Sequence, residues 1–336
     1  MTRSRWVVLG SAVVVTVGAL VAMGAIYLSP ARAAVGPMPA EGLILPADTR
    51  FVVGLDVRRF VQSELYTTNR RTMRPESFGE LEEKTGLDPE RDLDQVVIAG
   101  GPSVASGRRQ PGLVLVSGRF DRYKLSRAIE TSGKGVTWKD HQGTTVYMFG
   151  EGRKGAEAAA FLDDDTLVFG SQAAVEGTIA SRVGGKAPLR TNATLMALLE
   201  RVKPGSTFWM VGDQSLLSNL PQSVPAPGGS DGASLQLPAV QNLIVTGDLD
   251  PQIAVEATAE TADEVAAKNL ADVLRGVLAL GALQGNQKPE LKELASAVSV
   301  TTDATRVHVN LRVPYELIDS LSGKRPVAAG GAAPGR

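Results

Sequence analysis

Few residues of this 336-residue chain have the types and spacing that chemistry needs. Gly150-Glu151-Gly152-Arg153-Lys154-Gly155 carries the G-x-G-x-x-G pattern. Dinucleotide binding requires such glycines between a strand and a helix N-terminus, where backbone N–H groups meet a pyrophosphate. A strand precedes them here, but Ala158–Leu162, an Asp-rich turn and another strand follow. The context therefore predicts a hairpin loop and no nucleotide. Asp163-Asp164-Asp165 lacks the alternate-position oxygens, the sharp-turn Gly and the distant Glu of a Ca²⁺ loop, and reads as a hairpin tip.

His141 and His308 are the only histidines. His141 falls in the turn Lys139-Asp140-His141-Gln142-Gly143, and His308 on the outer side of an alternating strand. Triad chemistry would need a nucleophile and an orienting carboxylate beside one of them, and no G-x-S-x-G elbow supplies the Ser. Arg58, Arg59, Arg70, Arg71 and Arg74 lie near Phe60 and Tyr66 and could meet an anionic headgroup or an acidic partner. The favoured reading is a solvated helix face paired with Glu64, Glu76, Glu80, Glu82 and Glu83. No catalytic, cofactor-binding or metal-ligating residue is assigned, and no cofactor is expected.

Composition narrows the classes further. Lys+Arg 35 against Asp+Glu 36 gives a net charge of -1, which excludes a generally basic nucleic-acid binder. The absence of Cys excludes disulfides, thiolate metal sites, Cys nucleophiles and an acylated lipoprotein Cys. Hydrophobic residues at 43% and charged residues at 21% describe a globular chain.

The elements that would position these residues begin with the N-terminus. Arg3 and Arg5 precede Trp6–Leu28, a charge-free run about 34 Å long as a helix. The pattern predicts a cytoplasmic n-region at 1–5, a transmembrane helix or signal anchor at 6–28 and a tether at 29–45, with the globular part outside. The competing reading is cleavage after Ala31-Arg32-Ala33, giving a periplasmic or secreted protein.

Beyond the tether, Arg50–Asp56 reads as a strand and 58–84 as polar and helical. Gln95–Ala99 and Leu113–Val116 are continuous apolar runs, the pattern of strands covered on both faces. Asp121 caps a helix bearing Leu125, Ala128 and Ile129, and strands Val136–His141, Thr144–Phe149, Ala158–Leu162 and Thr166–Phe169 follow. A helix over Gln172–Val183 closes at Gly184-Gly185.

The second half repeats the order. It has a helix at Ala193–Val202, a strand at Thr207–Val211, a short helix at Ser215–Leu220, a mobile loop at Pro221–Pro238, and strands Leu243–Thr246 and Ile253–Glu260. A long helix at Ala262–Leu280 would bury Val265, Leu270, Val273, Leu274, Val277 and Leu278. Arg306–Val313 alternates, with Val307, Val309, Leu311 and Val313 inward and Arg306, His308, Asn310 and Arg312 outward. Val53-Gly54 matches Val211-Gly212 at an offset of 158, and Gly100 matches Gly247 at 147.

Leu45-Pro46-Ala47-Asp48-Thr49 before a strand, and Phe161–Ser171 before a helix, resemble uncharacterised bacterial exported proteins with an LPADT-like opening. That resemblance implies an exported α+β architecture and transfers no activity.

The expected fold is α+β: an N-terminal transmembrane helix, then mostly antiparallel sheets with helices packed on one face, in two related lobes at 46–185 and 190–323, and a disordered tail at 324–336. The expected function is non-enzymatic binding or scaffolding in the envelope, with the membrane and an envelope protein as partners and neither nucleic acid nor nucleotide. The alternatives are a carrier or sensor of an apolar ligand and a hydrolase with a carboxylate site.

Overall fold

The computed structural model describes residues 43–101, 112–131, 135–150, 157–214, 223–225, 234–236, 238–284 and 289–321. The strands are β1 (Phe51–Asp56), β2 (Leu93–Gly100), β3 (Leu113–Gly118), β4 (Val136–His141), β5 (Thr144–Phe149), β6 (Glu157–Phe161), β7 (Thr166–Ser171), β8 (Phe208–Asp213), β9 (Ser223–Pro225), β10 (Ser234–Gln236), β11 (Val240–Asp248), β12 (Ile253–Thr261), β13 (Val298–Asp303) and β14 (Arg306–Val313). The helices are α1 (Val57–Gln62), α2 (Glu64–Met73), α3 (Ser77–Thr85), α4 (Pro89–Asp92), α5 (Arg122–Thr131), α6 (Gln172–Arg182), α7 (Ala193–Leu199), α8 (Glu264–Gln284), α9 (Pro289–Ser296) and α10 (Tyr315–Leu321).

Twelve strands form one antiparallel sheet, in the order β13-β14-β12-β11-β8-β1-β2-β3-β7-β6-β5-β4. The two expected lobes are therefore one sheet, joined where β1 pairs with β8 through Val52↔Val211 and Gly54↔Trp209. Each half runs outward from this seam in the same sense, β1-β2-β3-β7-β6 on one side and β8-β11-β12-β14-β13 on the other.

Packing repeats across the seam as well. Phe51 lies opposite Gly100, and Phe208 opposite Gly247. A Cβ on Gly100 would stand 2.3 Å from the Phe51 ring, and one on Gly247 2.4 Å from the Phe208 ring. The halves thus correspond through Phe51 and Phe208, one residue away from the Val53–Val211 match read in the sequence. Strand side chains alternate, so that earlier match would have put equivalent residues on opposite faces.

Both faces of the sheet carry helices, which corrects the expectation of one covered face. Continuous apolar strands need cover on each side, and β3 is the clearest case, with Leu113, Val114, Leu115 and Val116 all buried. On the face bearing Trp209, the residues Val52, Ala99, Leu115, Val168 and Val211 share a core with Val175 and Ile179 of α6 and Leu195 and Leu198 of α7. On the face bearing Phe208, Leu55, Val96, Val114, Phe161 and Val255 pack with Val57 of α1, Leu65 of α2, Leu125 of α5 and Leu317 of α10. The same face continues under α8, where Ala267, Leu270 and Ala271 meet Val307.

Local details differ from expectation in four further places. Among the described residues no helix is long and apolar enough to cross a membrane, so the transmembrane helix of the expected fold has no counterpart there; residues 6–28, where it was expected, and the tail at 324–336 lie outside the described residues. The end of the supposed tether belongs to the fold, because Leu45 is fully buried and Pro46 bridges to Pro188. The loop after β8 contains the paired strands β9 and β10, while the short helix expected at 215–220 lies outside the described residues. The buried stripe of α8 uses Ala267, Leu270 and Ala271, leaving Val265 and Val277 exposed at 68% and 46%.

Candidate functional surface

The last strand alternates as its sequence predicts. Val307 and Val313 are buried, and Arg306, His308, Asn310 and Arg312 occupy the opposite face. Register then lines up side chains, all polar except Ile244, across four strands. One row is Asn242–Glu260–Arg306–Asp303, the next Ile244–Thr258–His308–Thr301, and the third Thr246–Glu256–Asn310–Ser299. These rows lie on the Trp209 face, where the first half of the sheet is covered by α6. The helix following β14 takes the other side, since α10 buries Leu317 in the Phe208-face core. Among the described residues no helix covers β12, β14 and β13 on this face, and Glu256, Ser299, Thr301, Asp303, Arg306 and Arg312 are exposed.

Glu260 organises one end of this polar face. Its carboxylate accepts from Asn242 Nδ2 at 3.0 Å, Arg201 Nη1 at 2.7 Å and Arg306 Nε at 3.2 Å. Burial pushes the carboxyl upward, but these three donors outweigh it and hold it below the ordinary Glu value. In the middle row Thr258 Oγ1 and His308 Nδ1 are 3.1 Å apart. A hydroxyl beside an imidazole is half of a nucleophile–base arrangement, which also needs a carboxylate to orient the ring. Register gives His308 Thr258 and Thr301 as its cross-strand neighbours. The pair sits on an open strand face and orders the surface.

The other sequence candidates fall elsewhere. Gly150 ends the β5 hairpin arm with φ 74°, and β5 and β6 pair antiparallel, so the glycine pattern joins two hairpin strands; residues 151–156 lie outside the described residues. Asp163–Asp165 form the β6–β7 turn, with Asp163 3.8 Å from Arg182 and Asp164 3.6 Å from Arg122. His141 ends β4, and the following turn uses positive φ at Gln142 and Gly143, with Asp140 accepting from the Gly143 N–H at 3.2 Å.

Arg58, Arg59, Arg70 and Arg74 of the Arg stretch are paired, mostly with partners the sequence did not nominate. Arg58 bonds Asp94 and Arg59 lies 3.7 Å from Asp56. Arg70 and Arg74 converge on Glu90, which also accepts from the Tyr66 hydroxyl. Burial raises the Glu90 carboxyl, and the Arg70 and Tyr66 hydrogen bonds bring it below the ordinary value. The Tyr66 hydroxyl moves upward, first from burial and then from the carboxylate it serves. Of the acidic residues expected to face the arginines, Glu82 does so, 3.6 Å from Arg74.

Sequence reasoning found the outward residues of β14 and missed Thr258, Glu260 and Arg201. The signal for Thr258 was present, since Glu256, Thr258 and Glu260 alternate with Val255, Ala257 and Ala259. Comparison with known proteins finds no matching family model, no matching curated protein and no matching solved structure.

Proposed function

We propose that this chain acts by binding, and that the uncovered polar face of β12, β14 and β13 is the surface a protein partner meets. The observation carrying this reading is the contrast between the halves: α6 closes the Trp209 face over the first half, while the equivalent strands of the second half carry ordered polar rows instead of an apolar core. An ordered hydroxyl, amide and charge lattice offers a partner many hydrogen bonds with little side-chain ordering left to do. The mixed signs of Glu256, Asp303, Arg306 and Arg312 favour a protein surface over a polyanion. In keeping with the exported location expected from the N-terminal run, the partner is an envelope protein.

The test is site-specific photocrosslinking in cells, with the reactive group placed at Thr301, at Ser299 or, as a control, at Asp164 in the β6–β7 turn. A discrete adduct from the first two positions and none from the third supports the reading. Turnover of ester, peptide or peptidoglycan substrates by the purified chain, with no adduct from any position, would overturn it.

A further inference from the structure

Among the described residues the sheet ends in two unpaired edge strands, β4 and β13, and they differ in kind. β4 carries Lys139, Asp140 and His141 in its six residues, the charged edge that discourages further pairing. β13 reads Val298-Ser299-Val300-Thr301-Thr302-Asp303, with neither Lys, Arg nor Pro and with β-branched residues at Val298, Val300, Thr301 and Thr302.

The bond from the Arg312 N–H to Ala297 O, at 3.0 Å, fixes the alternation of β13 against β14. Ala297, Ser299, Thr301 and Asp303 direct their backbone groups inward; Val298, Val300 and Thr302 direct theirs to the free edge. One side chain already uses that edge: Arg275 of α8 donates from Nη2 to Val300 O at 3.0 Å and is held by Asp272 at 2.9 Å.

We propose that the outer edge of β13 docks a second copy of this chain by antiparallel β13–β13′ pairing centred on Val300, and that Arg275 is the gate on it. The register follows from self-complementarity, as a two-fold contact requires. With Val300 opposite Val300′, Val298 meets Thr302′ and Ser299 meets Thr301′, and all three outward residues exchange their backbone groups with the partner. No charge opposes a like charge, because Asp303 falls opposite Ala297′. On the Phe208 face Val300 meets Val300′, and the Trp209 face gains a hydroxyl row. The chain already uses this antiparallel edge pairing internally at β1–β8. Release of Val300 O by Arg275 frees the acceptor at the centre of the two-fold, and the two uncovered polar faces then become one continuous platform.

Sedimentation equilibrium of the full chain tests this with three variants. The wild type is expected in monomer–dimer equilibrium. Arg275→Ala should tighten the dimer at least tenfold. The double variant Ser299→Asp, Thr301→Asp sets carboxylates against each other across the two-fold and should weaken it at least tenfold. Ser299→Lys with Thr301→Asp restores attraction and should recover the wild-type constant, which separates the stated register from a folding defect. Both side chains in these variants are exposed, so the fold is spared. A monomer in both the wild type and Arg275→Ala would overturn the proposal, as would a dimer indifferent to the carboxylate pair.

Discussion

Glu260 draws donors from three separate segments, and its ionisation therefore links folding to pH. Its folded pKa lies below the ordinary Glu value of 4.5. The stabilisation is thus fully present above that value and is lost as pH falls through the folded pKa. Replacing it by Gln removes this contribution, so Glu260→Gln should lower stability at pH 7 and flatten the acid limb; a melting series from pH 7 to 3 reads both effects. At the seam, a Cβ on Gly54 would lie 2.5 Å from the fully buried Trp209 ring. Overpacking of this kind costs about 1–3 kcal/mol, and Gly54→Ala should lose that much in urea titration. Neither partner pairing was readable beforehand, because Glu260 with Arg201 and Gly54 with Trp209 are distant in sequence. Residue type marks what needs a partner, and only the topology supplies it.

At the scale of elements, helix ends and connections carry the fold. Asn192 caps α7 by accepting from the Leu195 N–H at 3.1 Å. Its amide also donates to Ala47 O at 2.9 Å and Thr49 O at 3.2 Å, tying the approach to β1 against the second half. Asn192→Ala removes the cap and both ties and should cost about 2 kcal/mol, read as a drop in melting temperature. Ser171 caps α6 alone, accepting from the Ala174 N–H at 3.3 Å, and Ser171→Ala should cost only about 1 kcal/mol.

Strand identity was largely legible at this scale. The apolar runs of β2 and β3 announced cover on both faces, and the alternation of β14 gave its two sides correctly. The stripe of α8 was read in part, with Leu270 and Leu274 packing as expected, but Ala267 and Ala271, too small to stand out as apolar anchors, pack in the same cluster as Val307. The expectation of helices on one face failed because each covering helix is separated in sequence from most of the strands beneath it.

For the whole molecule, the seam makes one unit of what the sequence presents as two. β1 and β8 are central strands, so cutting the chain between α6 and α7 would expose two apolar edges at once. Calorimetry of the full chain should accordingly give one transition, with two resolved transitions contradicting a continuous sheet. The repeated order of elements was visible in the sequence; the edge-to-edge fusion of the halves was not, since nothing local encodes which strand neighbours which.

The order in which the chain leaves the ribosome bears on that seam. β1 is made early, but its neighbour β8 begins only at Phe208, so one side of β1 waits for most of a domain's synthesis. At synthesis rates of about 5–20 residues per second, that interval is roughly 8–30 s. Until then the strand of Phe51, Val52, Val53 and Leu55 can pair with β2 on one side only, its other edge is open to nascent-chain chaperones, and slowing translation before residue 208 lengthens the time that edge stays available to wrong partners.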